Sequence, residues 1–388
     1  MSVVIISNKY PFPPRDGSSI AILSSLRMWH RLGHKVHLFS LNPKKSEVPP
    51  DALPNDLSGS VHTHTFAIDT DVTPLGAAKN LLGNRPYHIS RFYREDIAQA
   101  LEVLTAKYNF DFVQWEGPFM GEYMPHVNGS PKHLMRSHNI EHRIWLRLAK
   151  NTKNPLLKYY LRLQAQRLKQ FELSFSEKMD GILPITDVDA TYFAKTLPTV
   201  PLCVILPGVD VDAYPLWKET NNKAVSLASF DWEPNREGMM WFIKHVIPLL
   251  PNHIKGHIGG RNMPAQWKST ETWTINRNVD NAHAFLINGN VQFIPLHSGS
   301  GIRIKIVEAM CMGMPVVATA IAAEGSGLRA GTHYLEGNTP VTFAKALDRC
   351  INDVELRHEL SKAARKFALD NYDLSAIAKT FGAFVKSL

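Results

Sequence analysis

The sequence predicts an α/β protein made of two doubly wound, parallel-sheet domains. Three observations carry that prediction. Short apolar runs alternate with helical stretches that have one apolar face, the pattern of successive β-α-β units. The pattern halts in a polar, proline-containing stretch at 207–222, PGVDVDAYPLWKETNN, and starts afresh at Ala224. Finally, 388 residues are too many for one ordinary core.

The elements follow in order. Residues 3–7 are an apolar run, read as a buried strand. Pro11, Pro13 and Pro14 then force an extended loop. Asp16, Gly17, Ser18 and Ser19 cap a helix whose Ile20, Leu23, Leu26 and Trp29 share a face. Gly33 stops that helix, and 35–41 is the next strand. Further strand candidates for this sheet are 110–115, 133–137, 181–185 and 203–206. Residues 42–60 and 67–95, the latter including RPYHISRFY, read as loops. Residues 156–175 place apolar or aromatic side chains at 157, 160, 161, 168, 171 and 175, a helix with one core face. In the second half, 224–229 is a strand, 238–250 a helix, and 255–258 a strand closed by Gly259 and Gly260. Residues 291–295 and 315–318 continue that sheet, and 340–351 and 355–368 are amphipathic helices.

Apolar residues make up 44% and charged residues 20%, which fits a soluble globular chain, and no apolar run is long enough to span a bilayer. The opening MSVVIISNKYPFPPRDG reads as a first strand, not a signal peptide. Cys203, Cys311 and Cys350 are odd in number and lack metal or redox spacing, so a reduced, cytoplasmic protein and no metal site are expected. The net charge of +8 favours anionic partners, but no nucleic-acid module pattern occurs. Cations crowd 143–178 (Arg143, Arg147, Lys150, Lys153, Lys158, Arg162, Arg167 and Lys169). A solvated helix face and a peripheral contact with anionic lipid headgroups both fit them.

The most informative segment is 291–328, VQFIPLHSGSGIRIKIVEAMCMGMPVVATAIAAEGSGL. It reads as strand, glycine turn, helix, strand. The turn Gly299-Ser300-Gly301 lets backbone lie close to a ligand, and the helix that opens at Ile302 presents free N–H groups and a positive dipole end. Arg303 and Lys305 stand in its first turn, where cations oppose the dipole, so they point to a phosphate. Glu308, one turn on, is placed to accept hydroxyl hydrogen bonds. An ordinary glycine-rich turn with solvated charges has the same spacing.

In order along nearly the whole chain, KYPFPPRDGSS, RLGHKVHLFSL, RSHNIEH (136–142), LPITDVDATYF, ILPGVDVDAY and the 291–328 segment together resemble the retaining glycosyltransferases of family 4. The resemblance implies the GT-B fold, two facing Rossmann-like domains with a cleft. Residues 1–210 would bind acceptor, 211–373 would be linker and nucleotide-sugar domain, and helix 374–388 would pack back on the first domain. It also implies a polysaccharide- or glycoconjugate-building hexosyltransferase that retains configuration and needs neither metal nor cofactor. Its partners would be a nucleotide-sugar donor and a glycan or lipid-linked acceptor.

Residue by residue, the resemblance assigns His138 to the transferring sugar, Asn139 beside it to the acceptor, and Gly17, Gly260 and Arg261 to the donor side; Glu116, at the carboxyl end of a strand, suits an acceptor contact or a structural role equally. Asp280 resembles a position beside the nucleotide base. Two departures stand out. Asp231 occupies the position of a family Arg, while Arg236 fills that of a family Lys. Ser300 replaces the first of two acids spaced eight residues apart, the second being Glu308. In a subgroup with this GSGIR-K turn, Gly299, Ser300, Gly301 and Ile302 are left to bind donor, and Arg303 and Lys305 to neutralise phosphate. Nucleotide-sugar 2-epimerases share the fold, and a non-catalytic nucleotide-sugar or glycan binder is the other alternative.

Overall fold

Six parallel strands form the first sheet: β1 (Ser2–Ser7), β2 (Lys35–Pro43), β3 (Val61–Ile68), β4 (Phe112–Glu116), β5 (Lys132–Ser137) and β6 (Gly181–Pro184), in the order β3-β2-β1-β4-β5-β6. The helices of this part are α1 (Gly17–Arg31), α2 (Pro74–Leu81), α3 (Tyr87–Ser90), α4 (Glu95–Lys107), α5 (Glu141–Asn151), α6 (Pro155–Ser176) and α7 (Asp187–Thr196). These coordinates are a computed structural model that describes residues 1–14, 16–49, 52–81, 83–219, 223–299 and 302–388. The chain divides into unit 1, Met1–Gly208 with Ile377–Leu388, and unit 2, Val209–Ala376.

Unit 2 repeats the architecture. Its strands β7 (Lys223–Ser229), β8 (Lys255–Arg261), β9 (Trp273–Arg277), β10 (Val291–Ile294), β11 (Val316–Ala318) and β12 (Leu335–Glu336) lie in the order β12-β11-β10-β7-β8-β9. The helices that follow are α8 (Glu233–Trp241), α9 (Ala282–Ile287), α10 (Ile304–Met312), α11 (Ala320–Ala323), α12 (Pro340–Asn352), α13 (Val354–Asn371) and α14 (Leu374–Ser387). Each sheet has one point where the strand order reverses, between β1 and β4 and between β7 and β10. The crevice at the carboxyl ends beside such a point is where doubly wound folds bind ligands.

Central strands bury both faces, as parallel sheets require: Val3, Val4, Ile5 and Ile6 of β1 have no exposure. In unit 1, Trp115, Met135, Ile182 and Phe175 join one core. In unit 2, Phe242 stacks on Phe293 with centroids 4.2 Å apart, and Trp273 and Phe343 close around them. From Ile377 onward, α14 belongs to unit 1, where Phe381 meets Trp29 edge-on at 4.8 Å.

Several elements differ from the sequence reading. Residues 203–206 run beside β6 without forming a strand. Ile205 N–H donates to the Pro184 carbonyl, but Pro184 has no N–H to return, so the ladder cannot continue. Strands β3 and β9, unexpected from sequence, are edge strands of their sheets with mixed exposure. The helix expected over 238–250 starts at Glu233 with Pro234 in its first turn, widens to a π turn at Phe242–Val246 and tightens to a 3₁₀ turn at Ile247–Leu249, where Pro248 removes a donor. In α6, Leu161, Leu168 and Phe175 are core as expected, but Leu157 is 48% exposed because the first turn projects beyond the core.

Candidate functional site

Unit 1 gathers its polar residues where β4 and β5 end and α1 begins. Asp16 caps α1 by accepting from Ser19 N–H at 2.8 Å. Burial raises its pKa, but Lys9, 2.8 Å away, outweighs that and the net shift is downward. One residue into α1, Ser18 Oγ lies 3.0 Å from His138 Nδ1. His138 Nε2 lies 2.6 Å from Glu116 Oε2. Since a carboxylate only accepts, Nε2 carries the proton, and in the neutral ring Nδ1 accepts from the Ser18 hydroxyl. The other oxygen of Glu116 accepts from Gln114 Nε2 at 2.7 Å, and Gln114 Oε1 accepts from Trp29 Nε1 at 2.6 Å. The result is a continuous chain: Trp29, Gln114, Glu116, His138, Ser18.

This geometry bears on the role of one residue. Glu116, for which the sequence left an acceptor contact and a structural role open, has a fully buried side chain with both oxygens engaged. Through Nε2–H it holds the His138 ring in place. The buried Arg136 lies opposite it on β5; burial lowers the Arg136 pKa to about 10 and Glu116 opposes that shift. Asn139 is half-buried, and its side chain bonds Glu141. Glu141 itself is buried and pushed up to about 8, first by desolvation and then by Glu172. Gly17 is the exposed first residue of α1. Ser18, Gln114 and Trp29 were not singled out from sequence, and only the proximity of Ser18 to the noted Gly17 offered a signal.

In unit 2, the carboxyl ends of β7, β8 and β10 converge on the head of α10. Gly299 has φ +123°, and a Cβ there would come within 3.1 Å of both Trp232 and the Arg303 guanidinium. Glycine lets this backbone lie flat against that cation. Arg303 is the N-cap of α10, not a first-turn residue as the sequence suggested, and is 4% exposed. Lys305 Nζ donates to Asn235 Oδ1 at 2.8 Å. Although part of its surface is exposed, its ammonium is closely enclosed: burial lowers its pKa to about 8, Arg303 lowers it further, and Glu308 opposes. Asn235 in turn donates to the Ser229 carbonyl at 2.8 Å, tying the end of β7 to α10. No sequence signal marked it.

Glu308 sits 3.8 Å from His283 Nε2 and raises the pKa of that imidazole. Ile302 is half-buried, while Ser300 and Gly301 lie outside the described residues. Gly260 has φ +150°, and a Cβ would fall 1.9 Å from the Ala228 carbonyl oxygen, so β8 exits in contact with β7. Arg261 is exposed and donates to Ser229 Oγ at 2.9 Å; the same hydroxyl donates to Asp231. Arg236 pairs with Glu233 within α8, which turns it from the Lys305–Asn235 cluster. Asp280 is exposed. Among the described residues, no group of three or more His, Cys, Asp or Glu could hold a metal.

Two six-stranded parallel sheets of Rossmann order define a doubly wound α/β protein of two Rossmann-like units. The comparisons narrow it. Residues 221–353 match the family model described as glycosyl transferases group 1. The chain is 21% identical, over 386 residues and 96% of each sequence, to an uncharacterized 44.6 kDa protein in the cps region of Klebsiella pneumoniae. Sucrose-phosphate synthase from Thermosynechococcus elongatus superposes with a TM-score of 0.70 at 14% identity, covering 100% of this chain and 99% of that one. Anabaena Alr3699/HepE, crystallised with UDP-glucose, gives 0.64 at 11% identity with both chains fully covered. The fold is GT-B, with two Rossmann-like domains.

Proposed function

We propose that this protein is a glycosyltransferase that moves a sugar from a nucleotide-diphosphate sugar to a glycan or lipid-linked acceptor with retention of configuration, in polysaccharide or glycoconjugate biosynthesis. One observation carries the reading: Arg303 and Lys305 are held together at the head of α10, at a depth that destabilises the Lys305 charge. An anion placed there relieves both the desolvation and the mutual repulsion. The group 1 match over 221–353 supports a sugar nucleotide as that anion, as does the UDP-glucose held by Anabaena Alr3699/HepE.

The chemistry follows from where charge develops. As the glycosidic bond to the β-phosphate breaks, negative charge grows on the leaving diphosphate, and Arg303, Lys305 and the amides of Gly299 and Ile302 stabilise it. Glu308 accepts from the ribose hydroxyls. Gly260 permits close approach of the donor, with Arg261 and Arg236 as outer cations. In unit 1, His138 acts through its backbone and through Ser18, since both ring nitrogens already have partners. Asn139 and the surface around Gly17 receive the acceptor. The leaving phosphate takes the acceptor proton on the same face, without metal or cofactor.

A peripheral contact with anionic membrane belongs to the same proposal. Leu146, Leu148, Leu156, Leu157 and Tyr159 are 46–82% exposed beside Arg147, Lys150, Lys153, Lys158 and Arg162. Arg167 is not part of that surface, because it donates to the Asn80 and Leu81 carbonyls, and Arg143 stacks on Tyr192 at 4.3 Å. No helix among the described residues is long and apolar enough to cross a membrane. Flotation with phosphatidylglycerol vesicles at low salt tests the contact: failure to float removes it. For the transferase itself, a thermal-shift screen with UDP-, GDP- and dTDP-sugars, followed by nucleoside diphosphate release, is the decisive test. Conversion to an epimeric sugar nucleotide makes the protein an isomerase, and binding without turnover makes it a binder.

A further inference from the structure

Unit 1 has a cavity of about 700 Å³ away from the Ser18–His138–Glu116 chain, lined by Arg85, Tyr93, Glu122, His126, Phe171 and Lys178. Its volume lies within the range of small-molecule sites. One wall is aromatic: Phe171 and Phe175 are parallel within 5°, with centroids 6.2 Å apart. Both rings lie over Gly121, where a Cβ would come within 2.8 Å of Phe175 and 3.0 Å of Phe171. Much of the remaining lining is polar. Tyr93 Oη donates to Glu95 at 2.8 Å and lies 3.3 Å from His126 Nε2.

Glu122 is the unusual member. Its side chain is 9% exposed, and one carboxylate oxygen pairs with Arg85 at 3.2 Å. The other oxygen is buried and has no hydrogen-bond partner among the described residues. Burial raises its pKa, with Arg85 opposing. A buried acceptor left unsatisfied is costly, so a donor brought by a ligand is the economical explanation. An aromatic ring and a carboxylate in one lining suit a pyranose, whose C–H face packs on rings while its hydroxyls donate. Arg85 and Lys178 leave the lining more cationic than anionic.

We infer that this cavity is a carbohydrate subsite for an acidic oligosaccharide, with Phe171, backed by the buried Phe175, as its platform, Glu122 accepting ring hydroxyls, and Arg85 and Lys178 pairing with uronate-type carboxylates. Its role as an acceptor-holding subsite rests on the transferase reading. The subsite also absorbs RPYHISRFY, the 85–93 motif that the donor site leaves unused, since Arg85 and Tyr93 bound it.

The test is saturation-transfer NMR and titration of the full chain with tetrasaccharides of hyaluronan, alginate and polygalacturonate. Wild-type protein is expected to bind at least one. Glu122→Gln, Lys178→Glu and Phe171→Ala are each expected to weaken that binding by about tenfold or more, the scale of a lost charge-assisted hydrogen bond. No binding by any of the three probes overturns the inference, as does unchanged affinity in both Glu122→Gln and Lys178→Glu, which leave the aromatic packing intact. Nucleotide-sugar binding is measured in parallel. Donor binding without oligosaccharide binding sinks the subsite alone, whereas oligosaccharide binding without donor binding supports the subsite and sinks the transferase reading.

Discussion

Neutralising Lys305 probes the head of α10 most directly. Lys305→Met keeps the length and apolar stem of the side chain while removing the ammonium that donates to Asn235 at 2.8 Å. That ammonium has its pKa depressed from 10.5 to about 8, chiefly by burial and then by Arg303. A docked diphosphate favours the charged form and moves the bound-state pKa back toward 10.5. Linkage fixes the sign. Below pH 8 both free and bound protein hold the proton, and affinity is flat. Above it the free protein loses a proton that the complex keeps, so affinity falls by about tenfold per pH unit until the bound-state pKa is reached. The charge-assisted bond itself is worth about 1.5–3 kcal/mol, which is about 10–150-fold in Kd. Isothermal titration across roughly pH 7 to 9.5, with whichever of UDP-, GDP- or dTDP-glucose binds tightest, reads both effects. Wild type should be flat and then fall; K305M should be weaker and flat throughout. Wild-type affinity in K305M, or an equal alkaline fall in both proteins, refutes the assignment. Asn235→Asp supplies a second handle: a carboxylate beside the ammonium raises its pKa and shifts the alkaline fall to higher pH.

Three further outcomes follow from the geometry. Gly260→Ala forces a Cβ to within 1.9 Å of the Ala228 oxygen at φ +150°, so it should cost roughly 2–4 kcal/mol in urea unfolding; a loss below that range would mean the β7–β8 exit relaxes freely. Glu116→Gln keeps a hydrogen bond but removes the charge that fixes the His138 tautomer, so kcat should fall with donor KM little changed, and the His138 ring nitrogens should show an altered tautomer by ¹⁵N NMR; an unchanged tautomer would make Glu116 merely structural. His37 is buried with its pKa lowered to about 4, by desolvation first and then by His62 and His64, and the half-buried His88 is likewise lowered to about 4, by burial and then Arg91. Both fold as neutral rings, so their stabilisation is present above pH 6.5 and lost as pH falls toward 4, at up to about 1.4 kcal/mol per pH unit for His37 and less for His88. Lys107, near His64, adds to the repulsion. Urea midpoints compared between pH 7.5 and pH 5 should show a shallower acid loss in His37→Leu, and an identical loss would exclude His37 as a source.

The central strands were legible because burial on both faces writes continuous apolar runs such as VVII in β1. Strands β3 and β9 were not, because VHTHTFAI and WTINR are half-exposed and carry polar residues that resemble loop composition. At the candidate site, residues announced by a glycine turn or a strand-end histidine could be named in advance. Those that act through a second residue could not. Gln114 and Asn235 are ordinary amides in sequence, and their importance lies in contacts made 85 and 70 residues away. Glu116 is the opposite case. Its place at the end of β4 was readable, but the loss of its solvent access depends on His138 and Gln114 closing over it.

The displaced charge in unit 2 has a physical account that neither residue gives alone. Arg236 stands where a phosphate-binding Lys was expected, yet a carboxylate one turn earlier, Glu233, captures it. Asp231 occupies the other cationic position and binds the Ser229 hydroxyl, which also receives Arg261. Both cations on the β7–β8 side, Arg236 and Arg261, are therefore engaged locally at exposed or partly exposed positions, where ion pairs contribute little. Lys305 is held instead by a neutral amide, which fixes its position without cancelling its charge. An uncancelled charge at low dielectric attracts an anion more strongly than a neutralised one at the surface. On the proposed reading, Asn235 leaves the Lys305 charge available to a phosphate, as an Asp or Glu at that position would not.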